Sequence, residues 1–125
     1  MGFSAWLAPG EFRRIEMYAL TMRFTLPEAT DWSKIPALME DRARTIYKDM
    51  PGLISKAFVY DPATREYGGN SVWDSREAID DFLASPIVAQ AREKFGEPTY
   101  SVHRIAAYLD HGQVITPALS EVKGG

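Results

Sequence analysis

His103 is the single histidine of this chain that falls within a predicted strand. Its ring titrates near neutral pH, which makes it the side chain best suited to take or return a proton. Arg23 and Arg104 lie mid-strand on the first and fourth predicted strands, where a guanidinium can hold an oxyanion or a carboxylate. Trp73 offers a flat apolar wall for stacking, Asn70 and Ser71 just before it offer hydrogen bonds, and Met22 and Met39 can floor an apolar pocket. Tyr60, with Tyr18, Tyr67, Tyr100 and Tyr108, presents a hydroxyl at a strand position. These types suit a site that binds a flat aromatic molecule, removes a proton and steadies the anion left behind. Each also has a plain structural reading: Trp73 as core, Met22 and Met39 as packing, His103 as a partly exposed sheet or interface residue, and the arginines as interface ion pairs.

The strand that carries Trp73 is the most informative segment. Gly68 and Gly69 stand side by side within it, and paired glycines in a strand mark a bulge or a close approach. Side chains alternate, so Gly69, Ser71 and Trp73 share one face. Asn70 then points to the opposite face, unless a bulge at the glycines resets the register.

Six elements position these residues. The alternation of Tyr18, Leu20, Met22, Phe24 and Leu26 predicts a strand over 16–26, ended by Pro27. An apolar stripe at three-to-four spacing predicts a helix from about Ser33 to Asp49, capped by Asp31 or Ser33, with Pro36 in its first turn and Pro51-Gly52 as its stop. Leu53 to Asp61 and Glu66 to Asp74 read as a hairpin around the turn at 61–65. Ser75 caps a second helix, which restarts at Ser85-Pro86 and ends near Gly96 and Pro98. Thr99 to Leu109 completes the set as a fourth strand. The first and fourth strands are not expected to be neighbours in the sheet. The order strand–helix–strand–strand–helix–strand is the ferredoxin-like α+β plan, a four-stranded antiparallel sheet with helices on one face. The other face is not clearly polar, and the expected cover is the same face of a second copy, giving a homodimer built as an α+β barrel.

The chain is 125 residues long with a net charge of −3, and no face is obviously basic, which disfavours nucleic acid and anionic membrane as partners. It has no cysteine, so disulfides, thiolate metal sites and cysteine nucleophiles are excluded, and a reducing cytoplasm is the expected location. His103 and His111 lack the spacing of a metal site, and no metal is expected. The apolar run in residues 1–9 is too short to span a membrane. Residues 1–15 are expected to be an extension, 16–110 the domain, and 111–125 a tail that docks on the partner subunit.

With order and motifs in place, the chain resembles the YdhR-like monooxygenases, within the wider antibiotic-biosynthesis-monooxygenase superfamily of dimeric α+β barrels. The resemblance covers roughly residues 17–120. It rests on Met50-Pro51-Gly52-Leu53 after the first helix, Gly68-Gly69 opening the third strand, and Trp73-Asp74-Ser75-Arg76-Glu77-Ala78 leading into the second helix. Ile115-Thr116-Pro117-Ala118-Leu119 is also similar to that family's extension. It implies a small hydrophobic pocket between sheet and helices. It also implies a reaction without metal, flavin or other cofactor, in which a deprotonated phenolic substrate reacts directly with oxygen. Two departures stand out. Gly69 occupies the position four before Trp73, where the better-known oxygenases carry an Asn. Residues 76–95 hold no His, which argues against the haem-degrading branch.

The leading expectation is therefore a cofactor-independent monooxygenase for a small aromatic or polyketide-like molecule. His103 would transfer the proton, Arg23 would stabilise the anion, and Trp73, Asn70, Ser71, Met22, Met39 and Tyr60 would hold the substrate. A cofactorless isomerase or cyclase on the same barrel needs the same groups without oxygen. A non-catalytic dimeric small-molecule-binding protein needs only the pocket.

Overall fold

β1 (Tyr18–Thr25) lies inside the sheet and is paired on both sides, antiparallel to β3 (Glu66–Trp73) and to β4 (Thr99–Arg104). β2 (Leu53–Asp61) pairs with β3 at the far edge, so the strand order is β2-β3-β1-β4. This computed structural model describes residues 16–117. The expected extension over 1–15 and the last residues of the expected tail lie outside that range.

The alternation read in β1 becomes a division between two faces. Tyr18, Leu20, Met22 and Phe24 are buried under the helices, whereas Thr21 and Thr25 are exposed on the open side. Pairing extends the same parity across the sheet. Trp73, Ser71 and Gly69 lie opposite Tyr18, Leu20 and Met22, and Arg104, Val102 and Tyr100 lie opposite the same three residues from the other side. The ladder between β1 and β3 runs unbroken from Tyr18↔Trp73 to Thr25↔Glu66, so the glycines do not shift the register. The irregularity sits in β2 instead, between Leu53 and Ser55.

One expectation is corrected here: β1 and β4 are neighbours. The β1-to-β2 crossover passes β3 to one edge and the β3-to-β4 crossover passes β1 to the other, so β4 joins the side of β1 that β3 leaves open. A second correction concerns length. β4 stops at Arg104 rather than Leu109 because β1 begins at Tyr18, and beyond the bond from Ile105 N–H to the Met17 carbonyl no partner strand remains among the described residues. The chain then turns across the open face. The Tyr108 hydroxyl comes 3.0 Å from Ser55 Oγ, on the strand at the opposite edge. β5 (Tyr108–Asp110) and β6 (Gln113–Ile115) pair through His111-Gly112. Both turn residues have positive φ, 53° and 82°, which is the twist a two-residue hairpin requires.

The first helix is more broken than its apolar stripe predicts. A 3-10 turn at Trp32–Lys34 leads into α1 (Ile35–Arg42), and a π-helical turn at Ala43–Tyr47 follows. Asp31 Oδ1 accepts from the Ser33 N–H at 3.1 Å, and Pro36 lies in the first turn of α1 where its missing N–H costs nothing. The π turn rotates the last part of the helix by widening one ring of hydrogen bonds. α2 (Arg76–Leu83) starts at Ser75, whose Oγ accepts from the Ala78 N–H at 3.1 Å. α3 (Pro86–Phe95) restarts behind Pro86 as expected. Leu20, Trp73, Ile79 and Val88 are the most deeply buried large side chains and join the central strands to α2 and α3. No helix among the described residues is long and apolar enough to cross a membrane.

Gly68 and Gly69 face different constraints. A Cβ on Gly68 would run into the Met22 backbone carbonyl, which cannot move without opening the β1–β3 ladder. A Cβ on Gly69 would press on the flexible end of Lys56, 2.9 Å from Nζ, and meet the Ala57 carbonyl at an ordinary 3.5 Å. Gly68→Ala is expected to cost roughly 2–4 kcal/mol and Gly69→Ala under about 1 kcal/mol, read by urea denaturation. Equal costs would show that the two glycines serve the same purpose.

Candidate functional site

On the helix-covered face, β2 contributes Lys56, Phe58 and Tyr60 in alternation, opposite Ser71, Gly69 and Tyr67 of β3. Lys56 is the one cation in that row. Its Nζ stands 4.5 Å from the centroid of the Tyr47 ring, 5.0 Å from Phe58 and 5.2 Å from Phe82. Among the described residues no carboxylate stands against it, and burial lowers its pKa to about 8. The bare Gly69, diagonal to Lys56 across the β2–β3 pair, leaves room for the ammonium.

Two adjoining hollows open between the sheet and the helices. The inner one, about 40 Å3, lies beneath Lys56 and is walled by Met22, Tyr47, Phe58 and Phe82. The outer one, about 210 Å3, lies between α1 and α3 and is lined by Met39, Ile46, Lys94 and Phe95 among others. Arg42, Tyr67, Ile87 and Ala91 line both. Arg42, Lys56 and Lys94 bring positive charge to this cleft, and no Asp or Glu is among its lining residues within the described chain. Burial raises the pKa of the Tyr67 hydroxyl and pushes that of Tyr47 up to about 12, with Arg42 opposing the rise at both. Both phenols therefore stay protonated. Tyr67 spends its proton on Met39 Sδ at 3.0 Å.

The sheet separates the residues singled out from sequence. Met22 and Met39 are buried at the cleft. Tyr60 is exposed on the far side of Met39, its ring stacked 6.2 Å from Trp32 above a separate recess. Trp73 is fully enclosed, its ring 5.3 Å from Phe82 and its Nε1–H donating to Ser71 Oγ at 2.7 Å. Ser71 in turn lies near the Leu20 carbonyl, so its hydroxyl is occupied within the core. His103, Arg23 and Asn70 all lie on the open face, opposite Ala19, Gly68 and Thr21 respectively. Arg23 donates to the Met22 and Gly69 carbonyls at 2.9 and 3.3 Å. His103 stands level with Ala19, four residues along β1 from Arg23, a separation of roughly 13 Å along the strand. Neither residue is among those that line the helix-side cleft. Among the described residues no group of three or more His, Cys, Asp or Glu side chains is gathered as a metal site.

Sequence reading passed over Lys56. The signal was present: a lysine at the alternate position before Phe58 and Tyr60 places a charge on an otherwise aromatic strand face. Tyr47, Phe82 and Arg42 come from separate helical segments, and only the packed structure shows them converging on it.

No family model matches the sequence, and no curated protein matches it. Solved structures do. The chain is similar to NE2512, a protein of unknown function from Nitrosomonas europaea, with a TM-score of 0.60 and 15% identity over 80% of this chain and 100% of that one. It is similar to SnoaB, a cofactor-independent oxygenase from Streptomyces nogalater solved as a mutant, with a TM-score of 0.54 and 16% identity over 76% and 98% of the two chains. It is also similar to the ActVA-Orf6 monooxygenase of Streptomyces coelicolor in complex with nanaomycin D, with a TM-score of 0.54 and 18% identity over 78% and 93%. At these identities the likeness establishes the fold, the expected ferredoxin-like α+β sandwich of sheet and helices.

Lys56 has a measurable signature. Its pKa in the folded chain, about 8, lies below the ordinary 10.5, so the folded state binds fewer protons than the unfolded one between those values. Stability therefore rises with pH across that window, and the full burial cost is present below it. That cost is about 3 kcal/mol, and the three ring contacts return about 0.5–2 kcal/mol. Lys56→Met is expected to be about 1–2 kcal/mol more stable than the wild type near neutral pH. The advantage should shrink as pH rises through the window from about 8 to 10.5, as read by urea denaturation at stepped pH. A pH-independent difference would mean that Lys56 is solvated.

Proposed function

We propose that this chain is a cofactor-independent monooxygenase acting on a small aromatic molecule held in the helix-side cleft. The same reading assigns it to the antibiotic-biosynthesis monooxygenases, in the YdhR-like branch that its motifs resemble. The observation that carries the reading is the cleft itself, an apolar space walled by aromatic rings between the sheet and the helices. Its shape suits a flat ring, and its positive lining suits an anion. The kinship in fold with a cofactor-independent oxygenase and a monooxygenase supports the reaction class.

In the proposed reaction an acidic phenol or its keto tautomer loses a proton, and the carbanion-like ring carbon then attacks dioxygen. A ring CH2 becomes C=O. The four electrons released reduce dioxygen, one oxygen atom staying on carbon and the other leaving as water. Met22 and Met39 would contact the substrate directly. Ser71 and Trp73 would support the cleft from the core behind Phe82, and Tyr60 would flank it beyond Met39. On this reading His103, Arg23 and Asn70 belong to the open face, where they would meet a second copy of the chain. Leu109 and Val114 of the β5–β6 hairpin, 70% and 58% exposed, give that contact apolar area.

Oxygen uptake by the metal-free protein with anthrone- or hydroquinone-type substrates tests the activity. Wild type is expected to turn over, and Ala91→Phe, which fills the wall shared by both hollows, is expected to lose about tenfold or more in kcat/KM with its fold intact. Full turnover in Ala91→Phe would move the site elsewhere. Turnover without oxygen would favour an isomerase or cyclase. Light scattering tests the assembly, with a mass twice the 14.0 kDa chain expected. A monomer would remove the proposed role of the open face.

A further inference from the structure

Among the described residues, no Asp or Glu lines the cleft that gathers these positive groups. Lys56 Nζ is drawn back among the rings of Tyr47, Phe58 and Phe82, and burial is the cause of its lowered pKa. Arg42 lines both hollows and Lys94 the outer one. A buried cation is stable when something of opposite charge meets it, and π faces supply only part of that field. Beside Nζ lies the inner hollow, which is lined by aromatic rings and shares Tyr67 and Ala91 with the outer hollow. An aromatic ring in the outer hollow with an acidic oxygen pointing inward would direct that oxygen toward this shared wall.

We propose that the cleft takes its ligand as an aromatic oxyanion, with Lys56 Nζ as the counter-ion and, when neutral, as the acceptor of the ligand's proton. This rests on the helix-side cleft being the binding site named above. It gives one residue the two tasks that sequence reading divided between His103 and Arg23. The exchange is balanced: the Lys56 amine and an aryl hydroxyl become an ammonium and an aryl oxide, one proton passing between them and no electron moving. Lys56 is suited to this because burial brings its pKa to about 8, so that a fraction of the amine is free at neutral pH. The other titratable and charged groups facing it are Tyr47 from the π turn, Tyr67 from β3 and Arg42 from α1. The two phenols keep their protons in the free protein, leaving Lys56 as the group that changes charge.

The test uses 4-nitrophenol, whose oxyanion has its own visible absorption band, against neutral 4-nitroanisole of similar shape. Full-length wild type is expected to bind 4-nitrophenol and to display the oxyanion band at a pH where the free phenol is protonated. Lys56→Met is expected to lose the band and about tenfold or more in affinity for 4-nitrophenol, while its affinity for 4-nitroanisole changes by less than about twofold. Lys56→Arg, which keeps the charge, is expected to retain the band. If Lys56→Met loses 4-nitroanisole as well, its cleft has collapsed and Lys56→Arg decides: a retained band supports the inference and a lost band overturns it. A band of wild-type strength in Lys56→Met, or none in the wild type, also overturns it. Failure of the oxygenase reading is separable. Absent oxygen uptake with the band intact sinks the reaction and leaves the oxyanion site standing.

Discussion

The continuous hydrogen-bonded ladder on both sides of β1 is the constraint from which the rest of the molecule follows. Because β1 has no bulge, each of its residues assigns a face to its partners on β3 and β4. A shift of one residue would move Leu20 and Met22 into solvent and bring Thr21 and Arg23 under the helices, so burial of the apolar set holds the register. Gly68 contributes by allowing β3 to approach the Met22 carbonyl more closely than any side chain would permit. That ladder, extended to β2 through β3, places His103, Arg23 and Asn70 on one side and Lys56, Met22 and Trp73 on the other.

On the helix side, Trp73 and Lys56 illustrate two ways of burying a polar group. The Trp73 indole N–H is satisfied by a neighbour two residues earlier on its own strand, and its ring is enclosed. It serves the core. Lys56 is not satisfied in that sense, since aromatic faces attract a cation without replacing the hydration it gave up. The residual cost remains in the folded protein as a lowered pKa. A residue that carries such a cost at the edge of an apolar hollow is a better pointer to chemistry than one whose bonds are all made.

The open face is neither bare nor complete. The chain after β4 crosses it, and Tyr108 ties to Ser55 at the far edge. Thr21, Asn70, Ser101 and His103 remain exposed there beside the less exposed Ala19 and Val72, a mixture unlike the aromatic wall opposite. The hairpin that continues from the crossing exposes Leu109 and Val114. The surface thus differs from the cleft in chemistry as well as in side.

By itself the sequence determined what depends on neighbours along the chain. The alternation of β1, the caps at Asp31 and Ser75, the restart at Pro86 and the opposite parity of Asn70 and Trp73 were all legible, because each is set by a local period or a local hydrogen bond. The end of β4 was not, since a strand stops where its partner stops and that partner is some eighty residues away. Nor was the pairing of β1 with β4, which depends on how the crossovers pack. The site was the least legible part. Tyr47, Lys56, Phe58 and Phe82 meet only when the π turn, β2 and α2 fold onto one sheet face. Whether a lysine is solvated or desolvated is decided by that distant company, and so Lys56, legible as a charge on an aromatic strand face, acquired its chemical meaning only in the tertiary structure.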